Sequence, residues 1–250
     1  MKVFLCGNGG PAERILRTYL AGQHECAVFT HPGSNLLAAA AELGVNATDE
    51  SVNNLGAWPF YPDILASVYY RTLIAPMVLD RVPAFNAHTS LLPYNRGRSP
   101  IPWAIIGGDT YTGVTYHWID EGIDTGPIIL QAAVRIAPAE TQTSLFAKID
   151  QAVFDFWPSA WAAACQNVRG VAQDTSEGGS IHFGGRPPCN GEIDPNWSRA
   201  GIERFIRAMT YPPRPGATYA GEPVASLEDY DRIRNERIRN AQRCARFRLP

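Results

Sequence analysis

The chain lacks every cysteine spacing that would mark a structural zinc or a disulfide framework. Its five cysteines, Cys6, Cys26, Cys165, Cys189 and Cys244, include no C-x-x-C pair. An odd, scattered set points to free thiols in a reducing compartment, so the cytoplasm is the expected location and no metal is expected. No apolar run is long enough to span a bilayer. Val3-Phe4-Leu5-Cys6-Gly7 has the look of a lipoprotein cleavage box, but no apolar segment of signal length precedes it, so no membrane partner is expected. Positive charge is not in excess either. A net charge of -2 gives no general electrostatic reason to bind a polyanion, and nucleic acid is not an expected partner. Internal repeats and low-complexity linkers are absent. The first glycine turn, Gly7 to Gly10, lacks the full dinucleotide fingerprint and no acidic ribose contact follows it, which argues against a redox Rossmann enzyme.

What is present is an ordinary globular composition, 45% hydrophobic and 18% charged over 250 residues, enough to bury a sizeable core. Val3 to Cys6 reads as a strand, Gly7 to Gly10 as a tight turn and Pro11 to Leu20 as a helix. Cys26 to Thr30, Ile64 to Tyr70 and Val82 to His88 read as further strands, and Ser34 to Leu43 as a helix opened by a capping serine. Ile101 to Ile106 looks helical, Tyr111 to Ile119 and Ile128 to Ile136 look like strands, and Thr141 to Asn167 reads as a long helix interrupted or bent at Pro158. This alternation predicts an α/β fold, a Rossmann-like open and mostly parallel sheet flanked by helices, with a small C-terminal appendage. The expected organisation is a main domain over 1–173, a Gly/Pro-rich appendage over 174–225 with a helix near Ser198 to Met209, and an Arg-rich C-terminal helix within 226–250. That last helix, Leu227 to Arg248, sets seven arginines against four acids, the pattern of a solvated or subunit-contacting face.

The chemistry concentrates between Phe85 and Gln131. Strand side chains alternate faces, so an extended Ala84 to Thr89 aims the Asn86 carboxamide and the His88 imidazole at one spot. Imidazole exchanges protons near neutral pH, and a fixed amide donor stabilises an oxygen that becomes negative in a tetrahedral intermediate. Those are the needs of acyl transfer. Asp124, in a loop flanked by Gly122 and Gly126, is placed to approach from another part of the chain and orient the imidazole. Around this trio several residues carry two readings. The Gly7 to Gly10 turn either cradles a phosphate at a helix N-terminus or simply joins strand to helix. Arg96 and Arg98 either hold a diphosphate with their guanidinium forks or brace their loop. His117 reads as structural or pocket-lining rather than as a second base, and His24, His31 and His182 fall outside the constellation.

In these motifs the chain resembles the 10-formyltetrahydrofolate-dependent formyltransferases. The matching stretches are Asn86-Ala-His88, Ser90 to Pro93, Arg96-Gly97, a helix from Pro100 to Gly108, Thr112 to Thr115 and Asp124-Thr125-Gly126, in the family's order. Weaker similarity runs back to Met1 and on through Arg186-Pro187-Pro188, Ile193-Asp194 and Ile206-Arg207-Ala208, about residues 1 to 225 in all.

The resemblance implies a formyltransferase with 10-formyltetrahydrofolate as donor. His88 would help deprotonate the attacking amine, Asn86 would donate to the oxyanion, and Asp124 would position His88 and relay protons. It assigns Arg71, Thr72, Leu73, Ile74, Leu91, Leu92, Pro93, Ile119, Asp120, Glu121, Gly122 and Ile123 to the folate. Gly9, Gly10, Tyr94, Arg96 and Arg98 go to the second substrate. The β-barrel that follows in methionyl-tRNA formyltransferase does not fit after Gly221-Glu222-Pro223-Val224, and the TYHWIDEGIDTG loop looks more like the sugar N-formyltransferases. The expected acceptor is therefore a nucleotide-linked amino-deoxysugar of the kind built into bacterial surface polysaccharide, such as the O-antigen of lipopolysaccharide. A homodimer is expected from the same resemblance. A methionyl-tRNA-type enzyme without the barrel and a folate- or nucleotide-binding module without turnover are the alternatives.

Overall fold

The structure is a computed structural model that describes residues 1–176, 178–184 and 188–246, the last six of these by backbone alone. Arg186, Pro187 and Arg248, which figure in the sequence reading, lie outside the described residues. In chain order the elements are β1 (Lys2–Gly7), α1 (Gly9–Ala21), β2 (Glu25–Phe29), α2 (Asn35–Glu42), β3 (Asn46–Thr48), β4 (Ile64–Val68), α3 (Pro76–Leu79) and β5 (Ala84–His88). There follow β6 (Arg96–Gly97), α4 (Pro100–Gly107), β7 (Tyr111–Trp118), β8 (Ile128–Arg135), α5 (Gln142–Asp155), α6 (Trp157–Cys165) and β9 (Ile181–His182). The chain ends in α7 (Arg199–Met209), β10 (Ala217–Tyr219), β11 (Glu222–Val224) and α8 (Leu227–Arg246).

Seven strands form one sheet in the order β3-β2-β1-β4-β5-β7-β8. The first five are parallel, while β7 and β8 add an antiparallel hairpin on β5. From β1 the chain builds outward through β2 and β3, then crosses back to β4 and β5. The order therefore reverses between β1 and β4, and the carboxyl ends of those strands border the crevice where ligands of open α/β sheets bind.

Both faces of the sheet are covered, which is why β1 is a continuous apolar run. Val3 and Leu5 enter one core with Leu16, Phe85, Tyr116, Leu145 and Trp157, under α1, α4, α5 and α6. Phe4 and Cys6 point the other way, into a smaller core with Phe29, Val52, Val78, Val82 and Ala84. The segment after β9 packs into the first of these cores: Ile202, Phe205, Ile206 and Met209 of α7 and Tyr230 and Ile233 of α8 all belong to it. Two arginines of α7 also donate to main-chain carbonyls of the sheet domain, Arg204 Nε to Ile106 at 3.0 Å and Arg207 to Glu140 at 2.7 Å.

The long helix expected over Thr141 to Asn167 is two helices, broken at Phe156, which ends α5 and opens α6. Proline explains the position of the break. Pro158 occupies the first turn of α6, where its missing N–H leaves no hydrogen bond unmade, so the chain restarts a helix there instead of bending one.

Candidate active site

The site is built on β5 and β7, where the parallel strands meet the antiparallel hairpin. Along β5, Phe85 and Ala87 point into the larger core, so Asn86 and His88 share the opposite face with Ala84. The antiparallel register sets His117 of β7 directly across from Asn86, on the same face. His117 Nδ1 donates to the Trp118 carbonyl at 2.8 Å, which leaves Nε2 as an acceptor. The Asn86 amide fills that role from 3.2 Å, so the imidazole of β7 fixes which way the carboxamide of β5 faces.

After Trp118 the chain folds back over this face as residues 119–127. Gly126 lets it do so, because a Cβ there would collide with the Trp118 carbonyl. Asp120 accepts from the Gly122 amide at 3.1 Å and the Thr125 hydroxyl at 2.6 Å, closing the turn internally. Gln173, well downstream, ties its far side, its amide donating to the carbonyls of Asp124 and Gly126 at 2.8 and 2.9 Å. Asp124 itself takes a left-handed backbone (φ +52), which aspartate tolerates better than most residues. Its Oδ2 accepts from the Gly97 amide at 2.8 Å and lies 3.4 Å from His88 Nδ1, while its Oδ1 lies 3.5 Å from His117 Nε2. Asn86, His88, His117 and Asp124 thus form one contiguous cluster.

Electrostatics assigns the charges. Burial opposes ionisation of Asp124, but in acid the imidazolium forms of His88 and His117 beside it, together with the Gly97 N–H, outweigh that and hold its carboxyl at about 2. His88 is buried, which pushes its imidazole below the ordinary histidine value, while the Asp124 charge and the Asn95 carbonyl pull the other way. A neutral His88 and an ionised Asp124 are the resting state near neutral pH. His88 Nε2 donates to the Asn95 carbonyl at 2.9 Å, so in the neutral ring the lone pair sits on Nδ1, the atom facing Asp124. A proton arriving at Nδ1 would make an imidazolium with an acceptor at each nitrogen. The pocket is therefore complementary to the form of His88 that exists after it has taken a proton.

The other residues named from the sequence are placed as follows. Gly9 and Gly10 are exposed at the start of α1, just past β1, where Asn8 caps the helix by accepting from the Gly9 amide at 3.0 Å. Arg71 to Ile74 follow β4. The Arg71 amide donates to His31 Nε2 at 2.9 Å, Leu73 is 69% exposed, and Ile74 packs on the smaller core together with Ile119. Leu91 is half-buried; Leu92 is buried, its N–H donating to Thr115 Oγ1 and its carbonyl accepting from Gln131. Ile119 donates its amide to the Ala84 carbonyl at 2.8 Å, Asp120, Glu121 and Gly122 are exposed, and Ile123 is half-buried. Pro93 is half-buried, Tyr94 and Arg98 are exposed, and the Arg96 guanidinium buries an Nε that has no partner among the described residues. No hydrogen bond or ion pair joins Gly9, Gly10, Tyr94, Arg96 and Arg98 to one another among the described residues. An open cleft of about 340 Å³, lined by Leu79, Val82, Pro83, Ala84, Trp118, Ile119, Asn167 and Arg169, adjoins the start of the 119–127 loop.

Four contributors escaped the sequence reading: the links from His117 to Asn86 and Asp124, the Asn95 carbonyl, the Gly97 amide and Gln173. For His117 the signal existed in principle, since it lies seven residues before Asp124 on the strand that feeds the loop. His182, read as outside the constellation, reaches it at one remove by donating Nε2 to Asn95 Oδ1 at 2.9 Å.

Comparison with known proteins converges on one group. The formyl transferase family model matches residues 20–160. GDP-perosamine N-formyltransferase of Brucella melitensis biotype 1 is 34% identical over 230 residues, which cover 86% of this chain and 87% of that protein. Among solved structures, a 4-N formyltransferase from Francisella tularensis superposes with a TM-score of 0.75 at 22% identity, covering 88% of this chain and 93% of that one. The N-formyltransferase from Helicobacter canadensis, in complex with folinic acid and dTDP-3-aminofucose, gives 0.76 at 20% identity, covering 90% and 86%. At these identities the structural likeness is one of fold. The family model spans more than half of the chain and the Brucella enzyme matches most of it, so this enzyme belongs to the formyl transferase family.

Proposed function

We propose that this enzyme transfers a formyl group from 10-formyltetrahydrofolate to the primary amine of a nucleotide-linked amino-deoxysugar. The observation that carries the reading is the contiguous cluster in which a buried histidine, a carboxylate and an oriented amide lie beside one another. His88 Nδ1 takes the proton lost by the attacking amine, and Asp124, 3.4 Å away, stabilises the resulting imidazolium. Asn86, its carboxamide turned by His117, keeps a second N–H free for the oxygen that becomes negative during transfer.

The donor fits what surrounds the cluster. Leu73 and Met77, in and just after the segment that follows β4, are 69% and 47% exposed, and Ile74 and Ile119 pack on the smaller core, apolar side chains suited to a flat heteroaromatic ring. Arg71 to Ile74, Leu91 to Pro93 and Ile119 to Ile123 would hold the folate, which when bound supplies an activated formyl group. On the acceptor side, Gly9 and Gly10 at the start of α1, Tyr94, and Arg96 and Arg98 would meet the nucleotide-sugar, the buried unpaired Nε of Arg96 being a donor in need of an acceptor. The substrate class is supported by the Brucella relative, whose name specifies GDP-perosamine. On this reading the enzyme works in the cytoplasm as a homodimer, and its product enters bacterial surface polysaccharide such as O-antigen.

The test is tetrahydrofolate release from 10-formyltetrahydrofolate with a panel of GDP-, UDP- and dTDP-linked 4-amino and 3-amino sugars, GDP-perosamine first, and with methionyl-tRNA alongside. Release that requires an amino sugar and disappears in His88→Asn is the expected result. Release with methionyl-tRNA alone would overturn the acceptor, and no release with any amine would overturn turnover itself.

A further inference from the structure

The turn between β5 and α4 is fastened to a strand from far downstream, and the fastening reaches both His88 and Asp124. Asn95 is buried in a left-handed conformation (φ +55), which turns its carbonyl onto His88 Nε2 at 2.9 Å. Its carboxamide is engaged on every side. Nδ2 donates to Asp109 Oδ2 at 3.4 Å, and Oδ1 accepts from His182 Nε2 at 2.9 Å and from the Ser180 hydroxyl at 3.4 Å. Because the amide hydrogens face a carboxylate, Oδ1 is the atom facing His182, which must carry its own proton on Nε2. The His182 ring lies flat on Trp103 of α4, with centroids 4.3 Å apart and planes 7° from parallel. Main-chain bonds complete the attachment: Arg96 donates to the Ser180 carbonyl at 2.8 Å, Arg98 to the His182 carbonyl at 2.9 Å, and Asn95 to Ser180 Oγ at 2.8 Å. Between them, Gly97 (φ +82) donates its N–H to Asp124, and a Cβ on it would collide with the His182 carbonyl.

We propose that Asn95 and His182 are positioning residues, which hold the Asn95 carbonyl on His88 Nε2 and so keep the reactive lone pair on Nδ1, opposite Asp124. On this account the strand at Ser180 to His182, outside the stretch matched by the family model, is a working part of the active site. The His88 tautomer follows from the hydrogen-bond geometry. Its kinetic consequence rests on the formyl-transfer reading above.

Three variants separate the contributions. His182→Phe keeps a ring on Trp103 but has no N–H, His182→Gln retains a donor, and Asn95→Gly keeps the left-handed turn while deleting the carboxamide. Ring 15N signals of labelled histidine are recorded together with steady-state rates, the His88 signals being assigned by their loss in His88→Asn. In the unaltered enzyme neutral His88 shows the Nε2–H pattern. In His182→Phe and Asn95→Gly that pattern shifts toward a mixture with Nδ1–H, and kcat falls about tenfold to a hundredfold with KM for the amine changed far less. His182→Gln restores most of both. A folded His182→Phe with the His88 pattern and kcat unchanged would overturn the proposal. If His182→Phe does not fold, an unchanged pattern and kcat in Asn95→Gly overturns it instead. Should no amine support turnover, the failure belongs to the reaction assigned above and the tautomer pattern alone decides.

Discussion

The two halves of the active site are held by different physics. Asn86, His88 and His117 stand on β5 and β7, paired strands inside the seven-stranded sheet, where strand alternation and register dictate where each side chain points. Asp124 stands on the 119–127 loop and Asn95 in the turn leading into the two-residue strand β6, with positive φ at Asn95, Gly97 and Asp124, and they are held by small sets of hydrogen bonds from distant segments. The rigid half carries the imidazole and the amide proposed to act on substrate. The loop half carries the charge and the acceptors that decide where the proton on that imidazole sits. Strand-borne groups should therefore be replaceable without loss of fold but not of rate, whereas changes to the loop half should act through geometry and grade with the number of ties cut.

The largest effect is expected on the strands. Asn86→Ala, which removes the proposed oxyanion donor, and His88→Asn should each lower kcat by about a hundredfold to a thousandfold, with far-ultraviolet circular dichroism unchanged. Survival of more than a tenth of the rate in either would show that the strand pair is not the reacting pair. Next comes Gly126→Ala, whose added methyl meets the Trp118 carbonyl and displaces the whole 119–127 loop. A fall in kcat of about a hundredfold is expected from misplacing Asp124. Gln173→Ala cuts two ties of the same loop yet leaves the Asp120 turn and the Gly97 contact in place, so a smaller loss, about tenfold, is expected. If Gln173→Ala costs more than Gly126→Ala, the loop is held chiefly from outside and the grading is wrong.

The same division separates what was legible in the sequence from what was not. Asn86 and His88 could be placed on one face because alternation is local, and β1, β2 and β4 could be read as buried strands from their apolar runs. His117 could not be joined to Asn86, because that pairing depends on the register between strands about thirty residues apart. Asn95 and Gln173 look like ordinary loop residues until the chain has folded, since their partners lie far from them along the chain. The short strands β3, β6 and β9, two or three residues each, carry no periodic signal at all. They exist because a neighbouring strand edge or turn offers them hydrogen bonds. Pro158 was legible as an interruption, but only the structure shows that it starts a helix.

On the proposed mechanism Asp124 acts electrostatically on a neutral His88 base, and the decisive experiment is the pH dependence of single-turnover formyl transfer, compared between the unaltered enzyme and Asp124→Asn. The groups facing His88 are Asp124, His117 and the Asn95 carbonyl. Burial favours the neutral ring, so the His88 contribution to the acid limb should have its midpoint below 6.5. Asp124, ionised down to about 2, should add nothing to that limb itself. Its charge favours imidazolium, so removing it should lower the rate and move the His88 midpoint further down in pH. The titration of the substrate amine is common to both enzymes, so the difference between the two profiles isolates His88. A downward shift with a reduced plateau is the predicted result; an unchanged or raised midpoint would contradict the pairing of His88 with Asp124.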